Sequence, residues 1–132
     1  MDCDLIFVYG TLRASVRSDI HGQFLGDRAE FIGEGSVVGR LWKVSWYPAM
    51  TRAESPGERV KGEVYRLMAR DQMMAELDEF EVCDLENPAE SEYTRELVEV
   101  NLENGSVIGA WCYLFLGKTG LLMHIPDGDF SI

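Results

Sequence analysis

The chain is 132 residues long and carries 23 Asp and Glu against 12 Lys and Arg, a formal net charge of −11 at pH 7, with its bases scattered along the sequence. Phosphate backbones and anionic bilayers are gripped by clustered basic stripes, so nucleic acid and membrane surfaces are excluded as partners. Hydrophobic residues make up 46% and charged residues 27%, the balance of a folded chain and not of a disordered one, and residues 1–132 are expected to form one domain.

The start, Met1-Asp2-Cys3-Asp4, has no basic region, and the apolar run after it is too short for a signal peptide or a membrane span. A cytoplasmic protein is expected. Leu5-Ile6-Phe7-Val8-Tyr9 is a β-branched and aromatic run suited to a strand covered on both faces. It halts at Gly10-Thr11-Leu12-Arg13. A glycine there permits positive φ and a close approach to the main chain, and such a loop can aim successive N–H groups at an anion. By itself a Tyr-Gly pair after a strand marks an ordinary turn.

Arg13 to Gly22 is polar and lacks a sustained apolar period, which predicts an irregular segment or a short helical turn leading to Gln23-Phe24-Leu25. From Ala29 to Val44, glycines at 33, 35 and 39 punctuate apolar pieces, a pattern of curved or bulged strands in a closed sheet. Trp42, Val44 and Trp46 alternate with polar residues as in a half-buried strand, and Pro48 argues against its continuing as a central one. Ala53 to Arg59 contains Ser-Pro-Gly and reads as a turn, and Val60 to Leu67 alternates as a strand.

The spacing of Met73, Leu77 and Phe80 predicts an amphipathic helix from about Ala69 to Phe80. Glu81 lies one step beyond Phe80, at the edge of the buried face, although a glutamate is usually a solvated residue. Cys83 to Ser91 is a polar loop. Tyr93 to Leu102 and Ser106 to Leu116 are strands expected to pair antiparallel through Glu103-Asn104-Gly105-Ser106, where Asn-Gly tolerates positive φ at both central positions. The tail from Ile125 to Phe130 is expected to fold over the sheet. Cys3, Cys83 and Cys112 are odd in number and widely spaced, which signals free thiols, and His21 and His124 are too isolated for a metal cluster. Neither a metal nor a cofactor is expected.

Six short segments occur in a telling order: Tyr9-Gly10-Thr11-Leu12, Tyr47-Pro48-Ala49, Gly62-Glu63-Val64-Tyr65, Leu77-Asp78-Glu79-Phe80-Glu81, Tyr93-Thr94-Arg95 and Ala110-Trp111-Cys112-Tyr113. In this order and spacing they cover nearly the whole chain, which resembles the gamma-glutamylcyclotransferase-like family. The resemblance implies an α+β fold, a small mixed β-barrel flanked by short helices, with a cavity where the first loop faces the acid after Leu77-Asp78. It also implies a γ-glutamyl amine or amino acid as the small-molecule substrate, its α-amine attacking its own γ-carbonyl to release 5-oxoproline and the free amine. Carried over by position, Tyr9, Gly10, Thr11 and Leu12 hold the glutamyl end and Glu81 is the acid–base residue.

The residue types suit that chemistry. An α-ammonium becomes a nucleophile only on losing a proton and a departing amine needs one, so a single carboxyl can accept and return it. A fixed loop and a shaped cavity favour the folded, near-attack form of the glutamyl chain, and loop amides can hold its carboxylate or meet the developing oxyanion. Tyr113 either projects into the cavity or packs the barrel. Tyr47 and Pro48 form the pocket rim or a plain turn, and Arg95 is expected to pair with a nearby acid. Two departures stand out: Val82 occupies the place where members commonly carry glycine, and the stretch from Val82 to Glu92 is long. Beside the enzyme stand two other readings, a non-catalytic module binding a small carboxylate or amine on the same scaffold, and thiol chemistry at Cys83, which has no histidine near it in sequence.

Overall fold

The computed structural model describes residues 3–130. In chain order its elements are β1 (Leu5–Val8), α1 (Ser18–Phe24), β2 (Ala29–Val38), β3 (Arg40–Lys43), β4 (Pro48–Thr51), β5 (Arg59–Leu67), α2 (Arg70–Phe80), β6 (Tyr93–Leu102), β7 (Val107–Phe115) and β8 (Met123–His124). Five strands close into a barrel in the order β1-β5-β2-β6-β7, and β4, β3 and β8 form a separate three-stranded sheet with β3 in the middle. The barrel is mixed, because its neighbours are antiparallel except where β7 meets β1 in parallel at Ile6 opposite Trp111.

The alternation of side chains along a strand explains why β1 is apolar throughout. Phe7 and Tyr9 enter the cluster that fills the barrel, with Val37, Val64, Val100 and Cys112. Ile6 and Val8 enter the cluster that joins the barrel to the helices, with Leu25, Met73 and Leu77. Closure also demands small residues. A Cβ at Gly62 would lie 2.3 Å from the Val8 carbonyl oxygen, and one at Gly35 2.7 Å from that of Asn101. The expected bulge lies between Phe31 and Gly33.

Several local expectations are corrected. The polar stretch after Arg13 contains a true helix, α1, entered through a turn whose Arg17 amide donates to the Arg13 carbonyl at 3.1 Å. The strand expected through Val44 and Trp46 ends at Lys43, because the chain turns where the Val44 amide donates to the Tyr47 carbonyl at 3.1 Å. Pro48 then begins a strand opposite Lys43. It is tolerated because β4 is the edge of its sheet and a first residue need not donate. At the β6–β7 hairpin only Gly105 has positive φ, 91°, and its amide donates to the Leu102 carbonyl at 3.0 Å. The connection is therefore a three-residue loop closed by a glycine bulge, not a two-residue turn with both centres left-handed.

The tail does fold onto the sheet. Gly128, at φ 66°, passes so close to β5 that a Cβ would meet the Arg59 carbonyl oxygen at 1.9 Å, and its own carbonyl accepts the Lys61 amide at 2.8 Å. Phe130, 2% exposed, joins the barrel cluster. Among the described residues no helix is long and apolar enough to cross a membrane.

Candidate active site

The loop leaving β1 is built from the side chains around it. Tyr9, buried at the strand's end, donates its hydroxyl to the Tyr113 carbonyl at 2.6 Å and accepts the Met50 amide at 3.3 Å. Burial first, then the neighbouring ionisable groups, raise its pKa well above the ordinary tyrosine value. Gly10 is a glycine for a different reason from the one expected. Its φ is not positive, but a Cβ would lie 2.6 Å from Pro48 Cγ, so only glycine fits under the β4 proline. The Arg13 amide closes the turn on the Gly10 carbonyl at 3.0 Å. Among the described residues the amides of Gly10, Thr11 and Leu12 donate to no protein acceptor.

Glu63 anchors the far side of this loop from β5. Its buried carboxylate accepts the Ala14 amide at 3.1 Å, the Ser15 hydroxyl at 2.8 Å and the Tyr65 hydroxyl at 2.7 Å, and it pairs with Arg13 at 3.5 Å. Burial alone would raise its pKa, but the Tyr65 and Ser15 hydroxyls, the Ala14 amide and the Arg13 charge outweigh burial and hold it below the usual value. Arg13 also reaches Asp129 in the tail at 2.9 Å.

Glu81 caps the C-terminus of α2. The Cys83 amide donates to the Asp78 carbonyl at 2.8 Å and the Val82 amide to that of Glu79 at 3.2 Å, the paired bonds of a Schellman motif. Its left-handed position is Val82, at φ 54°, the single non-glycine with positive φ among the described residues. A glycine is the ordinary occupant of that place. The cap turns Glu81 toward a cavity of about 190 Å³ that it lines together with Tyr9, Gly10, Thr11, Leu12 and Tyr113. Every site residue expected from the sequence thus borders one hollow. Glu81 keeps intermediate exposure on the cavity, and its carboxyl has no hydrogen-bond partner among the described residues. Burial, reinforced by the negative charges of Glu92 and Asp78, pushes its pKa up to about 8.

Tyr113 resolves its two alternatives into one arrangement: the ring borders the cavity, and the hydroxyl donates to Asp78 Oδ1 at 2.7 Å. Arg95 holds the same carboxylate through two bonds, at 2.8 and 2.9 Å, and stacks on Trp111 at 4.7 Å. Its role is therefore the structural pairing expected for it. Tyr47 and Pro48 do line the rim. Cys83 lies outside the cavity lining, and burial pushes its thiol up to about 11, so a reactive thiolate is disfavoured there. His21 rests against the Leu12 carbonyl at 3.0 Å.

Six lining residues, Phe7, Val8, Trp46, Phe80, Glu92 and Tyr93, were not among the expected site residues. Glu92 accepts the Tyr47 hydroxyl at 2.7 Å, and Tyr93 donates its own to the Pro48 carbonyl at 2.7 Å. Nothing in the local sequence marks Glu92, which follows an acidic loop and precedes a strand. Lys, Arg and His are absent from the described lining.

Residues 6–132 match the model of a family described as gamma-glutamyl cyclotransferase, AIG2-like. No curated protein matches the chain. Among solved structures, an AIG2-like protein of Mus musculus is similar at TM-score 0.72 and 24% identity, over 97% of this chain and 88% of that one. The protein ytfP of Escherichia coli is similar at TM-score 0.63 and 27% identity, over 96% of this chain and 95% of that one. YkqA of Bacillus subtilis is similar at TM-score 0.70 and 23% identity, over 96% of this chain, which spans only 39% of that longer protein.

Proposed function

Because the chain belongs to the gamma-glutamyl cyclotransferase, AIG2-like family, we propose that it is a γ-glutamyl cyclotransferase acting on a γ-glutamyl amine or amino acid, with Glu81 as its acid–base group. The observation that carries this reading is the shared hollow, where the amides of residues 10 to 12 and the Glu81 carboxyl, none of them partnered among the described residues, border one small cavity. The substrate's α-carboxylate takes the loop amides, which otherwise lack acceptors, and the glutamyl chain folds so that its amine approaches its γ-carbonyl. Glu81, in its ionised form, removes a proton from the α-ammonium. The amine attacks the γ-carbonyl, the new ring nitrogen gives its extra proton to a second base, and the Glu81 carboxyl returns its own proton to the departing nitrogen as the bond to that nitrogen breaks and 5-oxoproline forms.

Tyr9 and Tyr113 contribute rings and backbone, since their hydroxyls are already engaged. They narrow the cavity around the glutamyl chain. Thr11 and Leu12 supply amides to the substrate carboxylate or to the oxyanion. A cytoplasmic setting accords with three cysteines that are all free.

The experiment is incubation with a panel of γ-glutamyl amines and γ-glutamyl amino acids, with 5-oxoproline as the readout, for the wild type and Glu81→Gln. Product from the wild type and its loss in a folded Glu81→Gln are expected. Undiminished product in the variant would overturn the role of Glu81, and tight binding of the panel without turnover would point to a binding module instead.

A further inference from the structure

Proton counting shows that two protons must leave one nitrogen of the substrate while two are taken up by the other. The α-ammonium carries three hydrogens and the lactam nitrogen of 5-oxoproline keeps one, so two protons leave the attacking nitrogen. An alkyl amine departs with two hydrogens on a nitrogen that began with one, and it gains another to become an ammonium at neutral pH. Two protons are therefore also taken up. One carboxyl can hold only one of them at a time.

The only carboxyls lining the described cavity are Glu81 and Glu92. Its tyrosine hydroxyls are committed, those of Tyr9 and Tyr93 to main-chain carbonyls, that of Tyr113 to Asp78 and that of Tyr47 to Glu92 itself. We propose that Glu92 is a second catalytic residue, the carrier of the proton that Glu81 cannot hold at the same moment. The proposal rests on the cyclotransferase reading above.

The geometry couples the two acids closely. The Glu92 amide donates to the Val82 carbonyl at 2.8 Å, and the Glu92 carbonyl accepts the Leu116 amide at 2.9 Å, so Glu92 is clipped on one side to the residue following Glu81 and on the other to the segment after β7. The unusually long stretch between them returns on itself: the Ser91 hydroxyl lies 3.0 Å from both the Asp84 and Asn87 carbonyls, which share its one proton, and accepts the Asp84 amide at 2.8 Å. Tyr47 fixes Oε1 of Glu92 at 2.7 Å, and Oε2 has no partner among the described residues. The Glu92 charge is also one of the causes that raise the Glu81 pKa, as expected of carboxyls that share a site.

The steps balance. Ionised Glu81 takes one proton from the α-ammonium, and the freed amine forms its bond to the γ-carbon while the carbonyl π pair moves to oxygen. The new ring nitrogen, now bearing two hydrogens and a positive charge, gives one proton to ionised Glu92. The Glu81 carboxyl protonates the departing nitrogen, the bond to it breaks and the carbonyl re-forms. The amine leaves, takes the proton from Glu92, and both carboxylates are restored.

The experiment compares full pH profiles of 5-oxoproline release from γ-glutamyl-n-butylamide by the wild type, Glu81→Gln, Glu92→Gln and Glu92→Ala, each checked for folding by its thermal transition. Glutamine can still accept the Tyr47 hydroxyl, so Glu92→Gln removes the proton carrier and little else. A fall of about 100-fold in its plateau kcat is expected, within the usual span of general acid–base catalysis, together with recovery of Glu92→Ala by added formate. If Glu92 only tunes Glu81 electrostatically, the profile shifts to lower pH and the plateau stays within about threefold of wild type, which would overturn the proposal. A folded Glu92→Ala that formate does not rescue would overturn it too. Absence of product from the wild type, or its survival in Glu81→Gln, fails the cyclotransferase reading and this proposal with it; loss in Glu81→Gln beside an unchanged Glu92→Gln plateau fails the proposal alone.

Discussion

Glu81 is the residue on which the proposed chemistry turns, and its environment carries a stability cost. Its pKa stands at about 8 in the folded chain against an ordinary carboxyl value of 4.5. As pH rises the unfolded chain loses this proton first, so between those values the folded state binds more protons and stability falls toward pH 8. Glu81→Gln removes the penalty. It should melt with the wild type near pH 4 and exceed it at pH 8.5 by on the order of 2 kcal/mol, allowing for solvent at the cavity mouth. A base must be ionised to accept a proton, so kcat/KM should climb through an apparent pKa near 8, and loss of the Glu92 charge should move that limb to lower pH. The adjacent Val82 holds a left-handed φ of 54° with its side chain 49% exposed. A left-handed L-residue costs about 1–2 kcal/mol, partly offset by the extra unfolded-state freedom of glycine. Val82→Gly should therefore raise Tm by about 2–4 °C in thermal melts.

At the scale of elements, the β1–α1 loop is shaped from outside itself. Glu63 on β5 binds the Ala14 amide and the Ser15 hydroxyl while pairing with Arg13, so a residue some fifty positions away sets the loop that presents the free amides. Glu63→Gln keeps the shape but exchanges an acceptor oxygen for a donor against Arg13 and Ser15. Breaking such a buried pair is strongly destabilising, so a loss of about 2–4 kcal/mol in denaturant unfolding is expected. In the proposed reaction the loop binds and Glu81 transfers protons, so KM for γ-glutamyl substrates should rise more than kcat falls. The sequence showed Gly62-Glu63-Val64-Tyr65 as part of a pattern, but not this role. A strand position tells which face a side chain takes and says nothing of which loop lies beneath it.

For the molecule as a whole, the core of the barrel includes the tail. Phe130 completes the core inside the barrel, and Asp129 next to it pairs with Arg13 behind the site loop. Phe130→Ala should cost about 3–5 kcal/mol, the price of a large cavity in a packed core, read as a lower denaturation midpoint with the m-value unchanged.

The barrel strands, the helix before Glu81 and the loop at Gly10 were legible from the sequence because hydrophobic period and glycine placement are local signals, and the order of short motifs was enough to point to the family. The end of β3 at Lys43, the helix α1 and the glycine bulge at Gly105 were not, because short elements take their form from hydrogen bonds to neighbours that only the folded chain supplies. Sequence alone determined which residue types could perform the chemistry: a carboxyl at the end of an amphipathic helix and a strand that delivers backbone amides. Only the tertiary structure decided that they border one cavity, that Gly10 is small because Pro48 lies against it, and that Glu92 stands beside Glu81. Those facts depend on which distant strands pair and which half-buried carboxyls share a cavity, and such contacts between remote segments leave no period in the chain.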